Sequence, residues 1–300
     1  MNTTVEIIEF TDPACTWCWG SEPMLRKLEY QFGDKIKVSY IMGGLVEDAK
    51  TFMDPRNRIG GDLKQFNKQV AGHWLEASER HGMPVQDDGF ELFTESDRST
   101  HPMNIAYKAA QFQGEEIANR FLRRMREAIA AEAKQANKLE VLVELANDIG
   151  LDIKKFITAM NDGTAFEAFK SDVALMHNYS NSGFPGYLVR NNAGKEMVMR
   201  GYQSYENFIA IINVLSDGKL KSANKMANEE NILDFFSSYA RVAPVELQEA
   251  FDLDINNTKK WLVALMDKGI INEHKVGNGN LYCLSPQSGL CDSKAGVCNL

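Results

Sequence analysis

No apolar run in the 300 residues approaches the roughly 18–20 that a membrane-spanning helix needs. Positive charge is not in excess either. Against 41 Asp+Glu stand 33 Lys+Arg, a net charge of −8, which is the wrong sign for non-specific attraction to a phosphate backbone. Prolines number only 8, and 44% of the residues are hydrophobic, so there is material for a sizeable core and whole-chain disorder is excluded. Cysteine is scarce as well: five, an odd number, are too few for a disulfide scaffold in a chain of this length. The opening Met1-Asn2-Thr3-Thr4-Val5-Glu6 has neither the basic start nor the apolar stretch of a secretory signal. A cytoplasmic location is therefore expected, although a mature periplasmic chain would read the same way. In the cytoplasm a close cysteine pair points to redox chemistry or metal rather than to a structural disulfide.

At about 150 residues per domain the length suggests two folded units. Residues 5–10 read as a short buried strand bounded by Thr11-Asp12-Pro13. From Cys15 the apolar positions fall into helical spacing at Trp19, Met24, Leu25, Leu28 and Phe32, and Gly33-Asp34 ends that helix. Residues 36–42 alternate like a second strand. Strand, helix, strand implies a parallel pair in a covered sheet. Residues 62–179 hold no convincing strand; helices are predicted over 63–81, 103–113, 116–131, 139–149, 153–161 and 166–178. Residues 187–190 and 196–200, joined by Asn191-Asn192-Ala193-Gly194, read as a hairpin. Ser204 is placed to cap a helix over 205–215. A polar stretch over 217–227 reads as a linker. Beyond it, helices over 232–239, 244–250 and 256–268 and a hairpin formed by 270–274 and 281–284 describe a winged-helix-like module.

Cys15-Thr16-Trp17-Cys18 stands where a strand ends and a helix begins. Two intervening residues on a first helical turn bring two sulfurs within bridging reach. A helix N-terminus supplies unpaired amide donors and the positive end of the helix dipole. Both favour thiolate, so Cys15 is expected to be the nucleophile with a lowered pKa and Cys18 the more buried resolving thiol. A zinc pair is the competing reading of CxxC, but it needs two further ligands and none lies nearby in sequence.

The run Glu9-Phe10-Thr11-Asp12-Pro13-Ala14-Cys15-Thr16-Trp17-Cys18-Trp19-Gly20, followed by Met42-Gly43-Gly44-Leu45, resembles the DsbA-family thioredoxin-fold proteins. It is most similar to their cytoplasmic branch, which includes FrnE-like disulfide isomerases and adaptor proteins of bacterial proteolysis. The resemblance covers about residues 5–215. It implies an α/β chain: a thioredoxin fold with a large helical insertion, to which the sequence adds a small C-terminal winged-helix-like domain outside the usual family pattern. The implied boundaries are 1–55 and 166–222 for the thioredoxin-like domain, 56–165 for the insertion, 223–284 for the module and 285–300 for a cysteine-containing tail. Through the resemblance, Pro185 is a cis-proline facing the cysteine pair, and the Phe184 backbone turns outward to pair with an extended substrate. Glu9 matches the family's buried acid; a buried carboxylate without a partner would have a raised pKa and relay a proton with Cys18. Thr16-Trp17 departs from the proline–histidine of strongly oxidising members, so a less oxidising couple is expected. Trp17 and Trp19 offer an apolar docking surface, with a place in the core as the alternative for Trp19.

The remaining candidates carry less. Cys283, Cys291 and Cys298 have spacings that match no common zinc finger; a Cys291–Cys298 disulfide, an electron-feeding tail and unpaired thiols all stay open. None of His73, His81, His101, His177 and His274 shows ligand spacing, so no metal and no cofactor are expected. From Asn224 onward 7 Lys+Arg face 10 Asp+Glu, too thin a basic content for a nucleic-acid reader. The expected function is a thiol–disulfide oxidoreductase or isomerase acting on protein thiols and disulfides, with glutathione or a thioredoxin-type reductant as candidate electron partner. The alternative is a redox-sensitive adaptor that presents a client to a partner such as a protease. Glutathione-dependent isomerisation of a small molecule ranks behind both, since such relatives place serine where Cys15 stands. No nucleic acid or membrane partner is expected, and the C-terminal module is a candidate dimerisation surface.

Overall fold

The computed structural model describes residues 4–181 and 183–288. The chain opens with strand β1 (Val5–Thr11), helix α1 (Thr16–Phe32) and strand β2 (Ile36–Met42). Helices α2 (Leu63–His81), α3 (His101–Gln111), α4 (Glu115–Arg126), α5 (Leu139–Asp148), α6 (Ile153–Asn161) and α7 (Thr164–Asn178) follow before strands β3 (Gly186–Asn191) and β4 (Glu196–Arg200) and helix α8 (Tyr205–Leu215). The sheet order is β2-β1-β3-β4. β1 pairs parallel with β2 and antiparallel with β3, so it is an inner strand. That explains its composition: six of its seven residues are buried, as expected of a strand covered on both faces. The register sets Glu9 opposite Tyr40 on one side and Tyr187 on the other.

Helix boundaries over 63–81, 153–161 and 205–215 coincide with the sequence expectation, and the others differ by less than a turn, with one exception. The helix expected over 116–131 is α-helical only to Arg126. Glu127–Ala131, all buried, continue as a π turn, which widens the coil directly after Arg126. The composition offers no signal for that change, since Ala128, Ala130 and Ala131 are strong α-formers.

The C-terminal part consists of α9 (Glu229–Ser238), α10 (Pro244–Phe251), α11 (Ile255–Asp267), β5 (Ile271–Val276) and β6 (Gly279–Leu284), with an antiparallel β5–β6 pair and a bridge from Val242 to Tyr282. Its apolar core gathers Ile232, Phe235, Phe236, Leu247, Phe251, Leu262 and Leu265, and α1 contributes Tyr30 to it. Tyr30 is wedged edge-on against Phe235 and Phe251 and donates to the Asn231 carbonyl at 2.7 Å. The polar stretch expected as a linker is irregular, but it is seated on the fold. Gln31 accepts from the Lys225 amide at 2.8 Å through Oε1, and its backbone carbonyl accepts from the Ala223 amide at 2.7 Å. Among the described residues no helix is long and apolar enough to cross a membrane.

Candidate functional site: a dithiol over a buried acid

The loop before α1 is fixed by one side chain. Asp12 Oδ1 accepts the Ala14 amide at 2.8 Å, closing an Asx turn, and its carbonyl accepts the Cys15 amide at 3.0 Å. Oδ2 reaches across to the loop after β2, accepting from the Leu45 amide (2.7 Å), Thr100 Oγ1 (2.8 Å) and Asn104 Nδ2 (2.7 Å). Cys15 is thereby presented as the N-cap of α1, with extended backbone, and its Sγ accepts the Cys18 amide at 3.3 Å. A cap of this kind normally uses an oxygen; here sulfur takes the role, where the amide donor and the helix dipole stabilise negative charge. Both thiols are buried and free, Cys18 completely so. Burial pushes the Cys18 thiol well up, and the neighbouring Cys15 sulfur and the charge of Glu9 add to it.

Glu9 is fully buried, as the resemblance implied, but the expectation of a carboxylate without a partner is corrected. Arg126 Nη2, at the last residue of α4, donates to Glu9 Oε2 at 2.8 Å and to Thr11 Oγ1 at 2.6 Å. Burial still wins over the guanidinium, and the Glu9 carboxyl is raised to about 7. Its Oε1 has no hydrogen-bond partner among the described residues. Arg126 Nη1 also pairs with Glu22, one helical turn beyond Cys18 on α1. At Glu22 burial again pushes upward, but Arg126, Arg123 and Arg26 together outweigh it and hold that carboxyl low.

From Glu22 the ion pairs continue. Arg123 Nη1 lies 2.8 Å from Glu246 Oε1 and its Nη2 3.1 Å from Oε2, a forked pair; Arg26 Nη1 reaches Oε1 at 2.7 Å. Arg123 Nε meets Glu127 at 2.8 Å, and Arg241 joins Glu127 to Glu132. The Arg123 guanidinium carbon also sits over the Trp19 ring, 4.4 Å from its centroid. A buried lattice of alternating charge thus runs from the central strand to α10. Sequence reading missed all of it except Glu9, because arginines and glutamates at helical spacing read as a solvated face.

The Phe184–Pro185 bond at the start of β3 is cis, as the resemblance implied. Pro185 is buried and its carbonyl accepts the Gly201 amide at 2.8 Å. Phe184 is half-buried, and its ring packs so closely on Gly43 that an added Cβ there would stand 2.3 Å from it. Trp17 is half-buried and is surrounded by Tyr202 (centroids 5.5 Å apart), His81 (6.0 Å) and His73 (6.4 Å). Trp19 takes the other of its two expected places: it is core, and its indole donates to the Pro84 carbonyl at 3.0 Å. His81 sits under Gly20 with Nε2 3.4 Å from Thr16 Oγ1, and burial lowers its pKa to about 4, so it is a neutral packing histidine at this helix mouth.

Cys283 is not brought to the pair. It lies on β6, with Sγ 3.1 Å from His274 Nε2, and burial raises its thiol. Cys291 and Cys298 lie outside the described residues. No group of three or more His, Cys, Asp or Glu able to hold a metal is found among the described residues.

The thioredoxin family model matches residues 9–210. The ClpXP adapter protein SpxH of Halalkalibacterium halodurans is 28% identical over 282 residues, 93% of this chain and 88% of the adapter. Among solved structures, a Nitrosomonas europaea protein with the proposed identity of a protein disulfide isomerase superposes with a TM-score of 0.60 at 18% identity, covering 72% of this chain and 99% of its own. The cytosolic disulfide reductase DsbM of Pseudomonas aeruginosa gives a TM-score of 0.52 at 20% identity, covering 71% of this chain and 93% of its own.

Proposed function

Because the chain belongs to the thioredoxin family, we propose that it is a cytoplasmic thiol–disulfide oxidoreductase or isomerase that acts on protein substrates through Cys15 and Cys18. The observation that carries this reading is the cap of α1: a sulfur on the helix N-terminus accepts the amide of its own partner cysteine, directly before a fully buried second thiol. Cys15 thiolate attacks a substrate disulfide; its new S–S bond replaces the substrate's, and one substrate thiolate leaves and takes a proton. Cys18 gives its proton to Glu9 and attacks Cys15 Sγ, so the pair ends as a disulfide while the substrate gains two electrons and two protons. Run backwards, the same steps oxidise a dithiol. Phe184 and Pro185 align an extended substrate backbone by strand addition, and Trp17, ringed by Tyr202 and His73, forms an apolar wall beside the sulfur. A glutathione or thioredoxin-type thiol would return the pair to its starting state.

A second reading has its own support. The alignment to the SpxH adapter spans 93% of the chain and necessarily enters the C-terminal module, whereas the disulfide isomerase-like structure covers 72%. On that reading the protein carries a client to a protease such as ClpXP, and the dithiol senses redox state. Replacing Cys15 with Ser separates the two. The enzyme reading expects insulin reduction to vanish in the variant, and wild-type turnover there would reject it. Client capture that survives in a Cys15→Ala/Cys18→Ala double variant, with no turnover in the wild type, would favour the adapter.

A further inference from the structure

Among the described residues Arg126 is the one cation that hydrogen-bonds the acid of the dithiol site, and it comes from outside the strand–helix–strand unit. Its side chain is wholly buried, with one guanidinium nitrogen on Glu9 and Thr11 of β1 and the other on Glu22 of α1. The backbone changes from α to π immediately after it, and such local π turns recur at functional sites. The fork leaves Glu9 Oε1 and Arg126 Nε both without partners among the described residues, so the pair is held but not saturated. The other groups that face Glu9 are Cys18 and Glu22 from α1, Tyr40 from β2 and Tyr187 from β3; of these Glu22 stays ionised and both phenols are held neutral by burial. Tyr187 is tied instead to Ser21, its hydroxyl donating at 2.8 Å. Arg126 is therefore the only charge of opposite sign in this set.

We propose that Arg126 is a positioning residue of the dithiol centre: it fixes the Glu9 carboxylate with one oxygen uncommitted and sets the pH above which that oxygen can take the Cys18 proton. The inference rests on the redox reading of Cys15 and Cys18. The step it governs is the resolving one: the proton moves from Cys18 Sγ to Glu9, a Cys18–Cys15 S–S bond forms, and the Cys15–substrate S–S bond breaks with its electron pair leaving on the substrate thiolate. Without the guanidinium Glu9 would hold its own proton to higher pH and be a poorer acceptor at neutrality.

The test follows the two sequential releases of thionitrobenzoate when the reduced full-length chain, with Cys283, Cys291 and Cys298 replaced by serine, reacts with Ellman's disulfide. The second release reports the attack of Cys18. In the wild-type pair its rate should rise with pH through an inflection near the Glu9 value of about 7. Arg126→Gln should move that inflection upward by about one to three pH units, and Arg126→Lys, whose single ammonium cannot reproduce the fork that holds Glu9, Thr11 and Glu22 together, should move it in the same direction by a smaller but resolvable amount. Glu9→Gln should abolish the inflection, and adding Arg126→Lys to it should change nothing further. An unmoved inflection in Arg126→Lys and Arg126→Gln overturns the proposal. Should Arg126→Gln not fold, the Arg126→Lys pair of measurements, with and without Glu9→Gln, decides alone. If the wild type shows no second release at any pH, the redox reading fails instead. The Glu9 carboxyl stretch, read by isotope-edited infrared spectroscopy, then decides this inference independently: equal titration midpoints in wild type and Arg126→Lys overturn it.

Discussion

The two ends of the buried ion lattice are built on opposite plans. At the sheet end Glu9 has a single guanidinium, one unpartnered oxygen and two neutral phenols for neighbours, and its carboxyl is raised to about 7. At the module end Glu246, equally buried, accepts from Arg123 twice and pairs with Arg26, and its Oε2 also takes the Ala243 amide at 2.7 Å at the start of α10. Glu22 between them has three arginines and is held low despite its burial. The difference lies in counting donors rather than in depth: the buried Glu22, with three arginines, is held low, and the equally enclosed Glu9, with one, is left raised.

The largest effect on folding should come from the over-determined end. Glu246→Ala removes the buried acceptor that Arg123 and Arg26 share, and we expect a loss of about 3–5 kcal/mol in denaturant unfolding. A loss below about 1 kcal/mol would show that the module end does not anchor the fold.

At the sheet end the effect should be smaller and pH-dependent. Glu9 binds its proton more tightly folded than unfolded, so as pH rises from the unfolded value near 4.5 through the folded value near 7, the native state loses stability relative to the unfolded chain. The wild type should therefore lose about 2–3 kcal/mol against Glu9→Gln across that window and differ no further above it. A constant difference between the two would break the comparison. His81 works in the opposite sense. Its folded value near 4 lies below the ordinary 6.5, so protonation of the unfolded chain lowers stability as pH falls through that interval, and His81→Gln should remove this acid-side loss. The smallest effect belongs to an ion pair that water can reach. Lys268 and Glu229 are 49% and 44% exposed, and Lys268→Met should cost at most about 1 kcal/mol.

Much of this molecule was legible in its residues because the signals are local. The first strand, the helix after Cys15, the hairpin at Asn191–Gly194 and the three helices with a wing all follow from apolar period and turn residues. The cis Phe184–Pro185 bond came from resemblance and not from spacing. What was hidden depends on contacts distant in sequence. Asp12 looked like turn chemistry alone, yet its second oxygen clamps Leu45, Thr100 and Asn104. Helix α4, the charged run Arg120, Arg123, Arg124 and Arg126, reads as a surface helix, but Arg126 is among the most deeply buried side chains present. Only the pairing with acids from β1 and α1, Glu9 and Glu22, makes that burial tolerable, and neither segment announces the other.

The central claim is that Cys15 is the attacking sulfur of this chain. Cys18→Ser should freeze the reaction at the first step, so the variant is incubated with a disulfide-bonded peptide and the adduct located by mass spectrometry after digestion. A mixed disulfide at Cys15 is the predicted result. An adduct confined to Cys283, or none at all, would contradict the account.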